Sequence, residues 1–104
     1  MIYRVRATSL KLRLAPGTGA KVAAPPSVPL GTLLQTDLTV DSDGQPMRTG
    51  FDDPATPQPA RVSSAWVRVV AFQLPGRAWQ QLKTSAYAAY EWLEIERTEA
   101  GYPV

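Results

Sequence analysis

The stretch LKLRLAPGTGAKVAAPPSVPLGT, residues 10–32, decides the fold of this chain. Leu10, Leu12 and Leu14 alternate with two cations, so one face of an extended strand can enter a core while the other stays in water. A Pro-Gly-Thr-Gly run follows, in which the proline cannot serve a sheet ladder and the glycines permit positive φ. The chain therefore turns there, and the stretch predicts a small β module.

Length and composition limit the kinds of protein that this chain can be. Its 104 residues fit one compact domain, predicted to span residues 1–104, and suffice for a modest core without disulfides. The sequence contains no cysteine and no histidine. Disulfides, Cys or His zinc sites, Ser-His-Asp triads and Cys-His dyads are therefore excluded. We expect no enzymatic activity and no cofactor.

Charge is distributed unevenly along the chain, although the formal net charge is only +2. Residues 1–40 carry a net charge of +4, and residues 91–104 carry a net charge of −3. Such a polarity can steer a charged partner, but alternating charges on the water-facing sides of strands explain it more simply.

Membrane and export signals are weak in this sequence. No apolar run approaches the roughly 18 residues of a spanning helix, so we expect no membrane insertion. The first residues, MIYRVRATSLKLRL, interleave cations with apolar residues, which breaks the apolar core of a cleaved signal peptide. Localisation stays open between the cytoplasm and, for a piece of a longer exported protein, the cell envelope.

Hydrophobic alternation predicts the first two strands. The first covers residues 2–15 and changes face near Thr8 and Ser9, which indicates a bulge or a sharp bend. The APPSVPLG segment, residues 24–31, is so rich in proline that it predicts a loop or an irregular extended run. A second strand is predicted over residues 32–40, because its apolar residues and Thr36 share one face.

Residues 41–64 predict a long surface loop, since they are rich in Pro, Gly, Asp, Ser and Thr and lack any periodicity. A loop of this length is a functional candidate by its topology alone. After it, residues 65–82 predict a hairpin around a Leu-Pro-Gly-Arg turn, with Val67, Val69 and Ala71 on one face.

The last part of the chain predicts a turn and a closing strand. Residues 84–90, TSAYAAY, combine helix-tolerant alanines with two tyrosines three apart and predict a single helical turn. Residues 91–99 alternate Leu93 and Ile95 with Trp92 and glutamates, as a strand does. The elements together predict an all-β fold, a small and partly open barrel of about five strands with a short 3₁₀ turn and one long inserted loop.

The order of these motifs resembles the bacterial SH3-like domain family. LKLRLAPGTGAKVA resembles that family's first strand and Pro-Gly-Thr turn, and PLGTLLQ resembles the Lys-Gly-Thr entry to its next strand. AWVRV, GRAWQQL, SAYAAY and EWLEIE resemble, in order, its Trp-containing strand, its Gly-Trp-Val strand, its helical turn and its last strand. The resemblance covers nearly the whole chain except residues 41–64.

The resemblance implies a non-catalytic binding or targeting module that recognises peptides, peptidoglycan stem segments or a protein partner. Two alternatives stay open. One is a structural domain that docks onto a larger assembly through residues 41–64. The other, less favoured, is a small barrel that binds single-stranded nucleic acid through Arg4, Arg6, Lys11 and Arg13, with the acidic last strand opposing it.

Aromatic side chains are the candidate ligand contacts, because flat rings bury an extended peptide at little cost in conformational entropy. Trp66 and Trp79 are favoured as packing residues. Trp92 is predicted to be the wettest ring, since it shares a face with Glu94 and Glu96. The predicted ligand-binding residues are Tyr3, Trp66, Trp79, Tyr87, Tyr90 and Trp92.

Carboxylates offer little evidence of metal or acid-base chemistry. The Asp-Ser-Asp-Gly run at residues 41–44 resembles the opening of a calcium loop, but the later ligands are missing, so no metal site is predicted. Asp52 and Asp53 precede a proline and indicate a turn. The spacing of Asp37 and Glu91 relative to them favours solvated charge over a catalytic pair.

Overall fold

Seven antiparallel strands form a single sheet. The computed structural model describes residues 1–46 and 65–97, and of Ile95 and Arg97 only the backbone. The strands lie in the order β3-β2-β6-β5-β4-β1-β7, and a 3₁₀ turn, Tyr90–Trp92, precedes the last of them. Their bounds are β1 Ile2–Val5, β2 Ser9–Arg13, β3 Val22–Pro29, β4 Leu33–Val40, β5 Trp66–Gln73, β6 Gln80–Ala89 and β7 Leu93–Arg97.

The sheet curls into a half-barrel around one core. Buried side chains from every strand belong to the same hydrophobic cluster, including Leu12 of β2 and Leu93 of β7, which lie near opposite ends of the strand order. A flat sheet cannot bring such distant strands into one cluster, so the sheet must bend. The curled all-β sheet agrees with the predicted open barrel, but it has seven strands and not about five.

One of the two extra strands arises from a break in the predicted first strand. Residues 2–15 form two strands, because β1 pairs with β4 and β7 whereas β2 pairs with β3 and β6. The change of face predicted at Thr8 and Ser9 is thus a full corner between two strands. Hydrogen bonds secure this corner, from the Leu30 amide to the Thr8 carbonyl at 3.1 Å and from the Gly31 amide to the Val5 carbonyl at 2.9 Å.

The other extra strand is the proline-rich segment, predicted as a loop or an irregular extended run. Residues 22–29 form β3, which lies at the edge of the sheet and pairs only with β2. An edge strand needs ladder bonds on one side alone, so residues without an amide hydrogen are tolerated in it. Val28, which faces Leu10 across the ladder, is buried and anchors the segment to the core.

The hairpin predicted over residues 65–82 is confirmed as β5 and β6. Its Leu-Pro-Gly-Arg turn has Gly76 at φ +72°, and the Arg77 amide donates to the Leu74 carbonyl at 3.0 Å. These are the features of a type II turn, whose third position requires positive φ. Val67 and Val69 are fully buried as predicted.

The helical turn predicted over residues 84–90 is wrong for most of that segment. β6 continues to Ala89, and the 3₁₀ turn begins only at Tyr90. Ala86 and Ala88 are fully buried and pair with Val69 and Val67. The small side chains of Ala86 and Ala88 let β6 pack closely against the core. Ladder pairing with β5 therefore overrides the helix preference of alanine.

The remaining strand predictions agree with the structure in part. In β4, Leu34, Thr36 and Val40 are buried on one face as predicted, whereas Leu38 is only half-buried. The closing strand, predicted over residues 91–99, begins as β7 at Leu93, because Glu91 and Trp92 belong to the 3₁₀ turn, and residues 98 and 99 lie outside the described residues. Within the described ranges, no helix is long and apolar enough to cross a membrane.

Candidate functional site

Three of the six predicted ligand-binding aromatic residues are core residues. Tyr3, Trp66 and Tyr90 are at most 5% exposed. The rings of Tyr3 and Tyr90 meet edge to face, with their centroids 5.2 Å apart. Side chains buried this deeply offer a ligand almost no surface, and their contribution is to the packing of the half-barrel.

The other three aromatic residues lie at the surface but not together. Trp79 is 40% exposed and Trp92 is 50% exposed, whereas Tyr87 is half-buried. Trp79 immediately precedes β6 and Trp92 closes the 3₁₀ turn that follows it, so a strand of ten residues, about 30 Å long, separates them. The exposure predicted for Trp92 is confirmed, whereas ligand binding by any of the six stays a prediction.

A groove between two hairpins is a surface feature that the sequence analysis missed. Two adjoining cavities, of about 570 and 640 Å³, share Pro25, Phe72 and Gln80 in their walls. We call them together the hairpin groove. Its lining comprises Leu14, Val22, Ala23, Ala24, Pro25, Ser27, Pro29, Phe72, Leu74, Pro75, Arg77, Gln80, Gln81, Leu82, Lys83 and Thr84.

The hairpin groove forms because β2 and β6 diverge. Their only paired residues are Arg13 and Tyr87, after which β2 ends and the chain turns back into β3. β6 also bulges away from β5, because the four residues 82–85 lie opposite the single residue Val70. The groove lies between β3 and the β5–β6 hairpin and is open to solvent, with Leu14 and Val22 near Lys83 and Thr84 at one end and Pro29 near Pro75 at the other.

Leu14 gives the sequence signal for this groove, although the alternation with Leu10 and Leu12 predicts that it enters the core. Leu10 and Leu12 are buried, but Leu14 is 47% exposed. The reason is that β2 ends at Arg13, one residue too early for Leu14 to reach the core. Val22, its neighbour in the groove, is similarly exposed.

Ion pairs are confined to the opposite half of the sheet in the part of the chain that the structure describes. Arg4 of β1 contacts Glu96 of β7 at 2.8 Å, and Arg6 lies 3.9 Å from Glu94. On the next strands, Arg68 donates two hydrogen bonds to the carboxylate of Asp37, at 2.8 and 2.9 Å.

The Asp37–Arg68 pair links the stability of the sheet to pH. The hydrogen bonds from Arg68, opposed in part by burial, hold the pKa of Asp37 below its ordinary value of 3.8. A carboxylate with a lowered pKa stabilises the folded state above the unfolded pKa, and this contribution is lost as the pH falls through the lowered value. Both side chains are partly exposed, so the contribution is at most about 1 kcal/mol.

Replacement of Asp37 by Asn is therefore expected to lower the free energy of unfolding slightly at neutral pH and to have a smaller effect in acid. Urea unfolding at neutral pH and at a pH well below 3.8 measures this difference. Asp43→Asn is the matched control, because Asp43 is exposed and has no ion pair in the described residues. A destabilisation by Asp37→Asn that stays constant with pH would contradict the linkage.

The run at residues 41–44 forms a turn. One carboxylate oxygen of Asp41 accepts hydrogen bonds from the amides of Asp43 and Gln45, each at 2.9 Å. This geometry is that of an Asx turn. Residues 1–46 and 65–97 contain no group of three Asp, Glu, His or Cys side chains placed to hold a metal ion. Asp52, Asp53 and most of the predicted loop lie outside the described residues.

Comparisons with protein-family models, with curated proteins and with solved structures gave no significant match.

Proposed function

We propose that this chain is a non-catalytic recognition module of the bacterial SH3-like type, and that it binds an extended peptide segment in the hairpin groove. The observation that carries the proposal is an open, largely apolar groove whose two walls belong to separate hairpins. Peptide sites on small β folds need such apolar walls with a few polar groups that fix the direction of the chain.

The dimensions of the hairpin groove suit an extended chain. Its β3 wall includes residues from Val22 to Pro29, which is the whole strand. At about 3.3 Å per residue, this wall is about 25 Å long and accommodates a segment of about seven extended residues. Leu14 and Val22 at one end supply exposed aliphatic surface, and Pro29 and Pro75 supply apolar surface at the other.

The resemblance to the bacterial SH3-like family suggests two sources for the peptide. A peptidoglycan stem or a segment of a protein partner would each present an extended chain with polar backbone groups. Gln80 and Gln81, which line the groove, carry amides that can donate to and accept from such a backbone.

Binding of single-stranded nucleic acid is the less favoured alternative. Two of the four cations on which it depends, Arg4 and Arg6, lie close to Glu96 and Glu94 in ion pairs. These carboxylates would repel a phosphate backbone at that face. The docking alternative depends on residues 41–64, of which 47–64 lie outside the described residues.

Selection of a library of short random peptides on the immobilised chain tests the proposal, with a pull-down on purified peptidoglycan as a second assay. Replacement of Leu14 by Gln is expected to weaken binding of the selected peptides, or retention on peptidoglycan, by about tenfold, because it removes exposed aliphatic surface from the groove. Fluorescence anisotropy with labelled peptides measures the effect.

Leu30→Gln is the matched control for this measurement. Leu30 is 57% exposed, similar to Leu14, but it lies at the corner after β3 and lines neither cavity. The control variant is expected to bind as the parent does. If no peptide is enriched and peptidoglycan retains nothing, or if both variants bind equally well, the hairpin groove is not a peptide site.

A further inference from the structure

Among the residues that the structure describes, the strands and turns around the hairpin groove carry positive charge alone. Residues 7–31 and 69–90 hold five cations and no carboxylate. They are Lys11, Arg13, Lys21, Arg77 and Lys83. These two stretches form β2, β3, β6, the end of β5 and the turns between them, which are the strands and turns that build both walls of the groove.

None of these five cations has a carboxylate partner among the residues that the structure describes. Lys83 lines the cavity of about 570 Å³ and Arg77 lines the cavity of about 640 Å³. Arg13 precedes Leu14 in the chain and Lys21 precedes Val22. Leu14 and Val22 are the exposed aliphatic residues at one end of the groove. The described lining of the groove contains no carboxylate, so a bound segment meets cations along it.

The carboxylates that the structure describes are concentrated on the far side of the sheet. The described acidic residues lie on β4, on the turn after it, on the 3₁₀ turn and on β7, and they are Asp37, Asp41, Asp43, Glu91, Glu94 and Glu96. Arg4, Arg6 and Arg68 of that half form ion pairs with Glu96, Glu94 and Asp37. The described carboxylates therefore do not neutralise the positive potential at the groove, which selects against a basic partner as much as it attracts an acidic one.

The apolar surface of the groove separates two kinds of anionic ligand. Single-stranded nucleic acid needs exposed aromatic faces on which bases stack. Phe72, the ring in the groove, is only 5% exposed, and Trp79 is exposed but lies outside the lining. Leu14, Val22 and Pro25 instead offer aliphatic contacts, which suit aliphatic or proline side chains of a peptide.

We propose that the ligand of the hairpin groove is an acidic extended peptide segment. Its aliphatic or proline side chains lie against Leu14, Val22 and Pro25, and its carboxylates face Lys83 and Arg77. This inference rests on the proposed function and specifies the chemistry of its ligand. Exposed cations of this kind contribute orientation and rate of association as well as affinity.

The double variant Lys83→Gln/Arg77→Gln tests the inference in the peptide selection already described. Peptides selected on the parent chain are expected to be enriched in Asp and Glu relative to the unselected library. Replacing their Asp and Glu by Asn and Gln is expected to weaken binding several-fold, and the double variant is expected to weaken binding of the acidic peptides by a similar factor. Raising the salt concentration should weaken the parent complex as well.

Arg4→Gln/Arg6→Gln is the matched control, because it removes the same charge from β1 and the residue that follows it, on the far half of the sheet. It is expected to leave binding of the acidic peptides unchanged, and thermal unfolding verifies that both double variants are folded. The inference is overturned if the selected peptides show no acidic enrichment, or if both double variants weaken binding equally.

Two other outcomes decide between the proposals. If the selected peptides show no acidic enrichment but still bind the Leu14→Gln variant more weakly, the peptide site stands and its preference for acidic peptides is wrong. An oligothymidine probe that binds more tightly than any selected peptide, and loses affinity with Lys83→Gln/Arg77→Gln, would overturn the inference in favour of nucleic acid.

Discussion

Replacement of Val69 by Asp is expected to unfold this protein. Val69 is fully buried on β5, in the cluster that joins all the strands. A lone carboxylate in such a place costs several kcal/mol of desolvation even after relaxation, and the total stability of a small domain is about 5–15 kcal/mol. The expected result is loss of the near-ultraviolet circular dichroism signal and of the dispersed amide resonances of a folded sheet.

Val70→Asp is the matched control for this substitution. Val70 is the next residue of the same strand and is only half-buried, so its new carboxylate can reach water. The control is expected to remain folded, with a smaller loss of stability. If Val69→Asp folded with the same stability as Val70→Asp, the side of β5 that carries Val69 would not face the core.

Replacement of Leu34 by Ala is expected to lower the free energy of unfolding by about 2–5 kcal/mol. Leu34 is fully buried and lies between Tyr3 and Phe72 in a row that crosses β1, β4 and β5. Truncation leaves a cavity that these two rigid rings cannot collapse to fill, so the loss should lie toward the upper end of the range. Urea unfolding, with comparison of both midpoint and slope, measures it.

Leu30→Ala provides the comparison for this measurement. Leu30 is 57% exposed, so its truncation removes little buried area and should cost less than about 1 kcal/mol. Equal losses from Leu34→Ala and Leu30→Ala would contradict the row of contacts described for the half-barrel. A change in the slope of the Leu34→Ala transition would instead report a change in the surface exposed on unfolding.

Alternation in the sequence predicted the strands that are buried on one face. Leu10 and Leu12 of β2 and Val67 and Val69 of β5 are buried at alternate positions, because a strand with one wet face must place every second side chain inward. The same rule predicted the exposure of Trp92. Ile95 was predicted to point inward, and its side chain lies outside what the structure describes.

The features that the sequence did not predict depend on pairing with another strand. Residues 24–29 look like a loop because proline weakens any local preference for a strand, and only the neighbouring β2 holds them extended. Residues 84–89 look helical because of their alanines, and pairing with β5 decides otherwise. In each case the ladder with a partner strand overrides the preference of the segment itself.

The candidate site was the least predictable part of the molecule for the same reason. The hairpin groove exists because β2 and β6 pair at Arg13 and Tyr87 and then diverge, and no local pattern encodes that point. Ring content alone suggested Tyr3 and Tyr90 as contacts, but both are packed against each other in the interior. Of the two positive stretches beside the groove, only residues 7–31 were identified from the sequence, as part of the basic first forty residues, whereas Arg77 and Lys83 were not singled out.

The prolines of β3 have a consequence for the solubility of an open half-barrel. An edge strand normally offers a row of unpaired amides to which a second molecule can add its own strand, and such additions propagate into aggregates. Pro25, Pro26 and Pro29 remove the hydrogen-bond donors from three of the eight residues of this edge. A strand from a second copy of the protein could therefore form only an interrupted set of hydrogen bonds with β3. The half-barrel can thus remain open at this edge without polymerising through it.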